Sequence, residues 1–278
     1  MSKTLQDFIS EQERQEIFNL YQNNVSIREI AKKTHHGRQA ISQMLTDAGV
    51  KTSVGNHYRK YFFDVDYFEK IDTSEKAYWL GFMYADGCIE STLYGEESLK
   101  LAVGVKDIDV LQKFKQDLKS TYPIRFDESR HHANPACQGQ GICCYKSQKA
   151  VNDLISKGCV RHKSLILEFP TESQVPKKFI YDFIRGYFDG DGSISYYEKQ
   201  KSASLSFVGT KNFIMALSTY FKGGSVFPDK RKKNSWYFNL GGKNQIIQAY
   251  SLMYSNATRY MDRKYNKFQE ILKKYNES

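Results

Sequence analysis

The sequence predicts an α+β protein: a pseudo-twofold, duplicated αββαββ unit with two antiparallel sheets, preceded by a small all-α unit. Three observations predict it. One string recurs at a fixed offset in the second half of the chain. Helical and strand-like stretches come as helix, strand pair, helix, strand pair, without the βαβ alternation of a parallel sheet. The first fifty residues carry only short stretches with helical spacing.

The N-terminal stretch comes first. From Glu11 to Val50 three short helices are expected, because Ile17, Leu20 and Tyr21, then Ile27, Ile30 and Ala31, then Ile41, Met44 and Leu45 recur at three- and four-residue spacing. Ser26 can cap the second helix, with Glu29 as its capping-box partner. The turn Thr34-His35-His36-Gly37 leaves little room between the second and third helices. The string SIREIAKKTHHGRQAISQML resembles the helix-turn-helix of resolvase-type DNA-binding modules, departing from it at Thr34 and His35. That resemblance implies DNA contacts from Arg38, Gln39, Ser42 and Gln43 on the third helix; Arg and Gln can each make two hydrogen bonds to one base. A helical cap without DNA contact is the plainer alternative.

Residues 51–73 read as a linker, with a basic, aromatic start from Lys51 to Tyr61. Two repeats follow, 74–172 and 173–278. AYWLGFMYADGCI (Ala77–Ile89) and DFIRGYFDGDGSI (Asp182–Ile194) share a layout, with Gly81 and Gly186, Asp86 and Asp191, and Gly87 and Gly192 each 105 apart. The same offset relates Gly104 to Gly209 and Lys106 to Lys211. After each apolar helix two strands are expected, Cys88–Tyr94 and Ser98–Val105, then Ser193–Glu198 and Ala203–Gly209. Alternation supports them: Leu99, Leu101, Val103 and Val105 share a face. Next come helices Asp107–Ser120 and Lys211–Phe221, strands Ile124–Asp127, Gly141–Lys146, Ser225–Pro228 and Ser235–Leu240, and closing helices Gln148–Lys157 and Asn244–Tyr254. A polar helix, Arg263–Tyr275, ends the second copy.

Composition sets the class of partner. The 278 residues carry 41 Lys+Arg against 31 Asp+Glu, a net charge of +10, with twenty Tyr and eighteen Phe. Such an excess suits a polyanion, through phosphate neutralisation and counterion release. No apolar run approaches the ~18 residues that cross a bilayer, and the first twenty residues mix acids and bases where a leader would be apolar. No membrane partner is expected. Five irregularly spaced cysteines do not make a disulfide framework, so a cytoplasmic protein is expected, bacterial or phage-encoded.

The repeated helix carries the chemistry. It is apolar nearly all round, which marks a buried helix, and yet it ends in a carboxylate. Gly81 and Gly186 give up helix propensity, about 1 kcal/mol each, and would let two such helices approach backbone to backbone. Gly87 and Gly192 fit the left-handed position that commonly ends a helix. Packed side by side, the helices would bring Asp86 and Asp191 together at one end. Two carboxylates with no neighbouring lysine in sequence suit Mg²⁺, which prefers oxygen ligands and keeps waters and phosphates in its shell. A single Asp-Gly would be no more than a helix stop; two in register point to a metal site.

At these residues a family resemblance is plain. WLGFMYADG (Trp79–Gly87) and IRGYFDGDG (Ile184–Gly192) resemble the two motifs of monomeric LAGLIDADG homing endonucleases, and the resemblance runs from about Ser74 to Tyr275. It implies two saddle-shaped sheets over double-stranded DNA with a long target site, motif helices at the central interface, and a monomer that completes both half-sites. It further implies Mg²⁺ (Mn²⁺ or Ca²⁺ substituting for binding) at Asp86 and Asp191 with the backbone of Ala85 and Gly190, hydrolysis of both strands across the minor groove, and short 3′ overhangs. Tyr84 replaces the usual Asp at the sixth position of the first motif; the second keeps Asp189. Family members also place a lysine late in each repeat, for which Lys163 and Lys264 are the candidates, with Arg161 as a rival for the first. These would polarise the attacking water or stabilise phosphorane charge.

DNA contacts are expected on or beside the strands, from Lys100, Arg125, Arg130, Lys146, Lys199, Lys201, Lys230, Arg231, Lys232 and Lys233, with Ser195, Tyr197, Asn234 and Tyr237 adding polar contacts. His131, His132, Cys137, Cys143 and Cys144 crowd one loop, but without a Cys-x-x-Cys pair zinc is discounted. The chain ends Tyr-Asn-Glu-Ser rather than His-Asn, so a free-standing endonuclease is expected rather than an intein. A non-cleaving DNA-binding regulator and an RNA maturase, both using the same fold, are the alternatives; regulators tend to lose the motif acids, which are kept here.

Overall fold

Ser10 and Ser26 each start a helix with a full capping box, Ser10 with Glu13 and Ser26 with Glu29. The helices are α1 (Glu11–Gln22), α2 (Ile27–Thr34) and α3 (Arg38–Asp47). Ile17, Tyr21, Ile30, Ile41, Met44 and Leu45 bury their shared faces in a small core. His35 ends α2 in the left-handed conformation, φ +57°, where glycine would be unstrained. The computed structural model describes residues 9–23, 25–50, 61–91, 97–128 and 139–277, and of Ser164 only the backbone. Arg130, His131, His132, Cys137, residues 51–60 of the expected linker and the end of the expected strand at Tyr94 lie outside the described residues.

The chain divides into two units, Met1–Tyr61 and Phe62–Ser278. The larger is built twice over. Helix α4 (Ser74–Ala85), strands β1 (Gly87–Ser91) and β2 (Glu97–Gly104), α5 (Ile108–Asp117), β3 (Arg125–Asp127), β4 (Gln140–Lys146) and α6 (Gln148–Ser156) form the first copy. The second is α7 (Ile180–Asp191), β5 (Ser193–Tyr197), β6 (Ser202–Gly209), α8 (Lys211–Ser218), β7 (Ser225–Pro228), β8 (Trp236–Gly241) and α9 (Gly242–Tyr254), followed by α10 (Asp262–Glu277). The fold is therefore α+β. The two sheets are antiparallel with equivalent strand orders, β1-β2-β4-β3 and β5-β6-β8-β7. Among the described residues no helix is long and apolar enough to cross a membrane.

The motif helices α4 and α7 pack against each other at the centre. Every residue from Ala77 to Tyr84 is buried, as is most of Ile180 to Asp189. A β-carbon on Gly81 would collide with the Phe183 carbonyl, and one on Gly186 with the Tyr78 carbonyl. Backbone therefore faces backbone, the approach that only glycine permits. Trp79 donates to Asp117 (2.6 Å), which also takes both arms of Arg259 (2.7 and 2.7 Å), tying the two copies together.

Two sequence expectations are corrected. Gly87 and Gly192 are not left-handed: Gly192 is extended (φ −82°, ψ 164°), and Gly87 is absent from the positive-φ glycines. Their requirement is steric, since a β-carbon would lie 2.6 Å from the Met83 or Phe188 carbonyl oxygen as the chain turns straight into a strand. The 105-residue offset also fails beyond the first strand. Cys88 pairs with Lys100 but Ser193 with Ser206, so the offset is 105 on the first strands and 106 on the second. Leu99, Leu101 and Val103 thus match Leu205, Phe207 and Gly209. The buried residues of β6 are Ala203, Leu205 and Phe207, and a one-residue slip would turn each set to the wrong face.

Candidate metal and nucleic-acid site

Asp86 follows the last residue of α4 and Asp191 is the last residue of α7. Because the two helices touch through their glycines, their C-terminal ends meet. A β-carbon on Gly190 would lie 3.3 Å from Asp86 Oδ2 and inside contact distance of the Ala85 methyl. The acid of one repeat therefore rests on the backbone just before the acid of the other. Both acids are reached by solvent, but protein crowds them from the walls of the seam. That crowding, and next the Asp191 charge, push the Asp86 carboxyl up to about 6. Asp191 is raised as well, by desolvation. Charge is stored here that a cation would relieve.

Lys163 and Lys264 end at the same place by different routes. Lys163 Nζ donates to the carbonyls of Met83 (2.7 Å) and Gly87. Lys264, only 5% exposed, donates to those of Phe188 (2.5 Å), Asp189 (2.8 Å), Gly190 (3.3 Å) and Gly192 (2.6 Å). Each ammonium rests on carbonyls at and just past the end of its own motif helix, where a positive charge is favoured. This first task is one the sequence did not reveal. The same ammoniums oppose the raised carboxyls, Lys163 more strongly than Lys264 at both acids. Burial lowers both lysines, Lys264 to about 8.

The sixth motif position is buried in both copies. Tyr84 donates to the Lys157 carbonyl (2.5 Å). Asp189, wholly buried, accepts from Tyr78 Oη (2.9 Å), Tyr254 Oη (2.5 Å) and the Met261 amide (2.7 Å). Its bond to the Met261 amide, three residues before Lys264, fixes the segment that delivers that lysine. Tyr254 and Met261 are partners that sequence reasoning missed.

A cavity of about 210 Å³ opens beside Asp191, lined by Lys163, Leu165, Tyr187, Lys232, Lys233 and Asn234 among others. Thus Lys232, Lys233 and Asn234, from the exposed loop between β7 and β8, stand at the centre. Lys230 is exposed on the same loop, while Arg231 and Tyr237 are both held by Asp229.

The remaining candidates spread over the sheets. On the first sheet, Lys100, Arg125 and Lys146 lie on the face opposite the buried Leu99 and Leu101, with Lys100 paired to Glu90 (2.9 Å). Ser195 and Tyr197 lie on the corresponding face of the second sheet, opposite Ser204 and Ser202. Lys199 and Lys201 sit in the exposed turn that follows. Arg161 is paired with Glu97 at the start of β2, away from Lys163's carbonyls. In the small unit Arg38, Gln39 and Gln43 are exposed and Ser42 half-buried. Gln43 donates to Asp47 (2.8 Å), and Arg28, Lys32 and Arg38 line an open basic groove.

Among the described residues no group of three or more His, Cys, Asp or Glu side chains is placed to hold a metal. The donors on offer are two carboxylates and backbone carbonyls, all oxygen, which fits a hard cation completed by water and phosphate oxygens.

No family model matches the chain, and no curated protein matches it. Solved structures similar to it include the I-LtrWI LAGLIDADG homing endonuclease bound to target DNA, at 12% identity and TM-score 0.49, covering 77% of this chain and 92% of that one. Another is the LAGLIDADG homing endonuclease I-GzeII in complex with a DNA target, at 13% identity and TM-score 0.47, covering 71% and 88%. A third is the meganuclease I-SmaMI bound to uncleaveable DNA, at 12% identity and TM-score 0.46, covering 70% and 88%. Likeness this distant assigns no chemistry, which has to come from the residues themselves.

Proposed function

We propose that this chain is a site-specific double-strand DNA endonuclease of the homing type, hydrolysing phosphodiester bonds with a divalent metal and leaving short 3′ overhangs. The observation that carries this reading is the meeting of Asp86 with the backbone beside Asp191, at the seam of two equivalent sheets, with an ammonium behind each acid. Asp86 and Asp191 would hold Mg²⁺, with the backbone of Ala85 and Gly190 beside them. When bound, the metal supplies Lewis-acid activation of water and stabilises the leaving 3′ oxygen. Lys163 and Lys264 hold the helix ends so that the acids stay together, and their charge favours an incoming phosphate. Lys100, Arg125 and Lys146 on one sheet, and Ser195 and Tyr197 on the other, would contact the flanking duplex. The helix-turn-helix would add affinity through Arg38, Gln39, Ser42 and Gln43. One chain carries both half-sites, so a monomer suffices.

The test is incubation of the full chain with a randomised duplex library in Mg²⁺, followed by mapping of broken ends. Recurrent breaks at one sequence, staggered on the two strands, are expected. Asp191→Asn should abolish them while binding of the selected duplex changes little. Cutting by Asp191→Asn at the wild-type rate would remove the metal assignment.

A further inference from the structure

Most large apolar side chains of this unit are buried, yet Leu165, in the cavity beside Asp191, and its chain neighbour Ile166 are not. Leu165 is 61% exposed and Ile166 59%. They ride on a short bridge whose ends are both fastened. On one side Lys163 Nζ grips the end of α4 at the Met83 carbonyl (2.7 Å), and the Ile166 and Leu167 amides return to the Lys163 carbonyl (3.1 and 2.9 Å). On the other, Leu167 is buried, and its carbonyl accepts from Thr210 Oγ1 (2.5 Å) at the end of β6 in the second sheet. The bridge therefore crosses from the first copy to the second, and its apolar pair is held out rather than folded in.

Its surroundings identify what it meets. Leu165 shares the cavity of Asp191 with Lys163, Lys232 and Lys233. An exposed leucine in a cavity that Lys232 and Lys233 also line, with an exposed isoleucine next to it in the chain, suits a ligand that is anionic at its rim and flat and apolar within. A base step between two phosphodiester strands has that character. If the two sheets enter successive stretches of major groove, the seam between them lies over the intervening minor groove, since B-DNA presents its grooves alternately along one face. After Lys264 the chain continues as α10, with Tyr265 half-buried and Phe268 buried, so the feature is one-sided.

Resting on the reading of the acid pair as a DNA-cleaving site, we propose that Leu165 and Ile166 form a fixed apolar wedge. It enters the minor groove at the central step of the target and partly unstacks it. Apolar side chains inserted this way kink the duplex, and the deformation costs least at the pyrimidine–purine steps TA and CA/TG. The wedge thereby selects sequence at a step that no strand side chain reads.

The experiment uses the full chain and a random duplex library of about three helical turns, bound in Ca²⁺ and sequenced without relying on cleavage. The wild-type pool should show flanking preferences and about tenfold enrichment of pyrimidine–purine steps at one fixed central position. Leu165→Ser with Ile166→Ser, both at exposed positions, should keep the flanking preferences and lose the central one. In a duplex from the selected pool carrying 2-aminopurine at that step, fluorescence should rise severalfold on binding wild type and stay flat with the double variant. Flanking selection with an indifferent centre overturns the wedge alone, as does a central preference or fluorescence rise that survives the double substitution. A wild-type pool with no sequence enrichment overturns the DNA-cleaving reading together with the wedge.

Discussion

The Asp86 carboxylate lies against Gly190: a β-carbon on that glycine would come within 3.3 Å of Asp86 Oδ2 and would overlap the Ala85 methyl. The gap between the two acids is thus set by a missing side chain. Gly190→Ala should force the helix ends apart, because one methyl cannot rotate out of the way of another. We expect about 1–3 kcal/mol of lost stability and at least a hundredfold loss of metal-dependent cleavage, as a reacting group displaced by ~1 Å costs about that much. Affinity for DNA, which the proposed contacts on the sheets would set, should hold within a few-fold. Titration of the variant with a selected duplex, followed by single-turnover cleavage, checks this. A wild-type rate would mean that the acids tolerate separation.

Metal-free protein should be strained at the same point. The Asp86 carboxyl, raised to about 6 by crowding and by Asp191, binds its proton more tightly folded than unfolded. Its contribution is therefore present below the unfolded value near 4 and is lost as pH rises through about 6. In EDTA, stability should fall across that interval, and Mg²⁺ should reverse the fall by binding the folded state alone. The full shift corresponds to ~3 kcal/mol, and since solvent reaches this carboxylate we expect ~1 kcal/mol. Asp86→Asn should flatten the pH dependence, raise the midpoint of urea unfolding in EDTA at pH 7, and abolish the response to Mg²⁺. An unaltered pH profile in the variant would show that the acid is not strained.

Much of this was legible in the sequence, for identifiable reasons. The doubled motif reads clearly because Gly81 and Gly186 serve contact between two helices, and the residue that meets a backbone cannot vary in size. The strand offset misreads because matching glycines, Gly104 and Gly209, suggest one register while the alternation of buried side chains imposes another. Letter matching weighs a glycine heavily, whereas the sheet weighs the pleat. Lys163 and Lys264 can be found by their place late in each repeat, but not their hold on helix carbonyls, which depends on where a loop returns. Asp189 is hardest to read. Its partners Tyr78, Tyr254 and Met261 come from three separate stretches, and only the packed core brings them together.

That buried carboxylate leads to a stability prediction. Asp189 is raised by burial despite its three hydrogen bonds and nearby Lys264. An Asn at 189 keeps the shape but turns an amide toward donors, leaving at least one of them unpaired. Asp189→Asn should cost about 2–4 kcal/mol, and Tyr254→Phe, which removes a single donor, about 1–2 kcal/mol. The two losses should not add, because they break one network. Urea unfolding of both single variants and the double variant measures the coupling. Additive losses would mean that the Tyr254 hydroxyl contributes independently of Asp189.

The small N-terminal unit makes its own testable demand. Arg38 and Gln39 open α3 from an exposed position, and Arg28, Lys32 and Arg38 line one groove. A basic groove at the start of α3 suits phosphate as well as base edges, and the two roles separate by salt. If Arg38 neutralises one phosphate, Arg38→Ala should lower the slope of log affinity against log salt by about one, uniformly across sequences. If Gln39 reads a base, Gln39→Ala should leave that slope alone and cost about 1–3 kcal/mol only for duplexes that carry the preferred base. Removing residues 1–50 should weaken binding while cleavage of the central site survives at higher protein concentration. Fluorescence anisotropy at several salt concentrations distinguishes these outcomes. Unchanged affinity and slope after the deletion would assign the helices no contact with DNA.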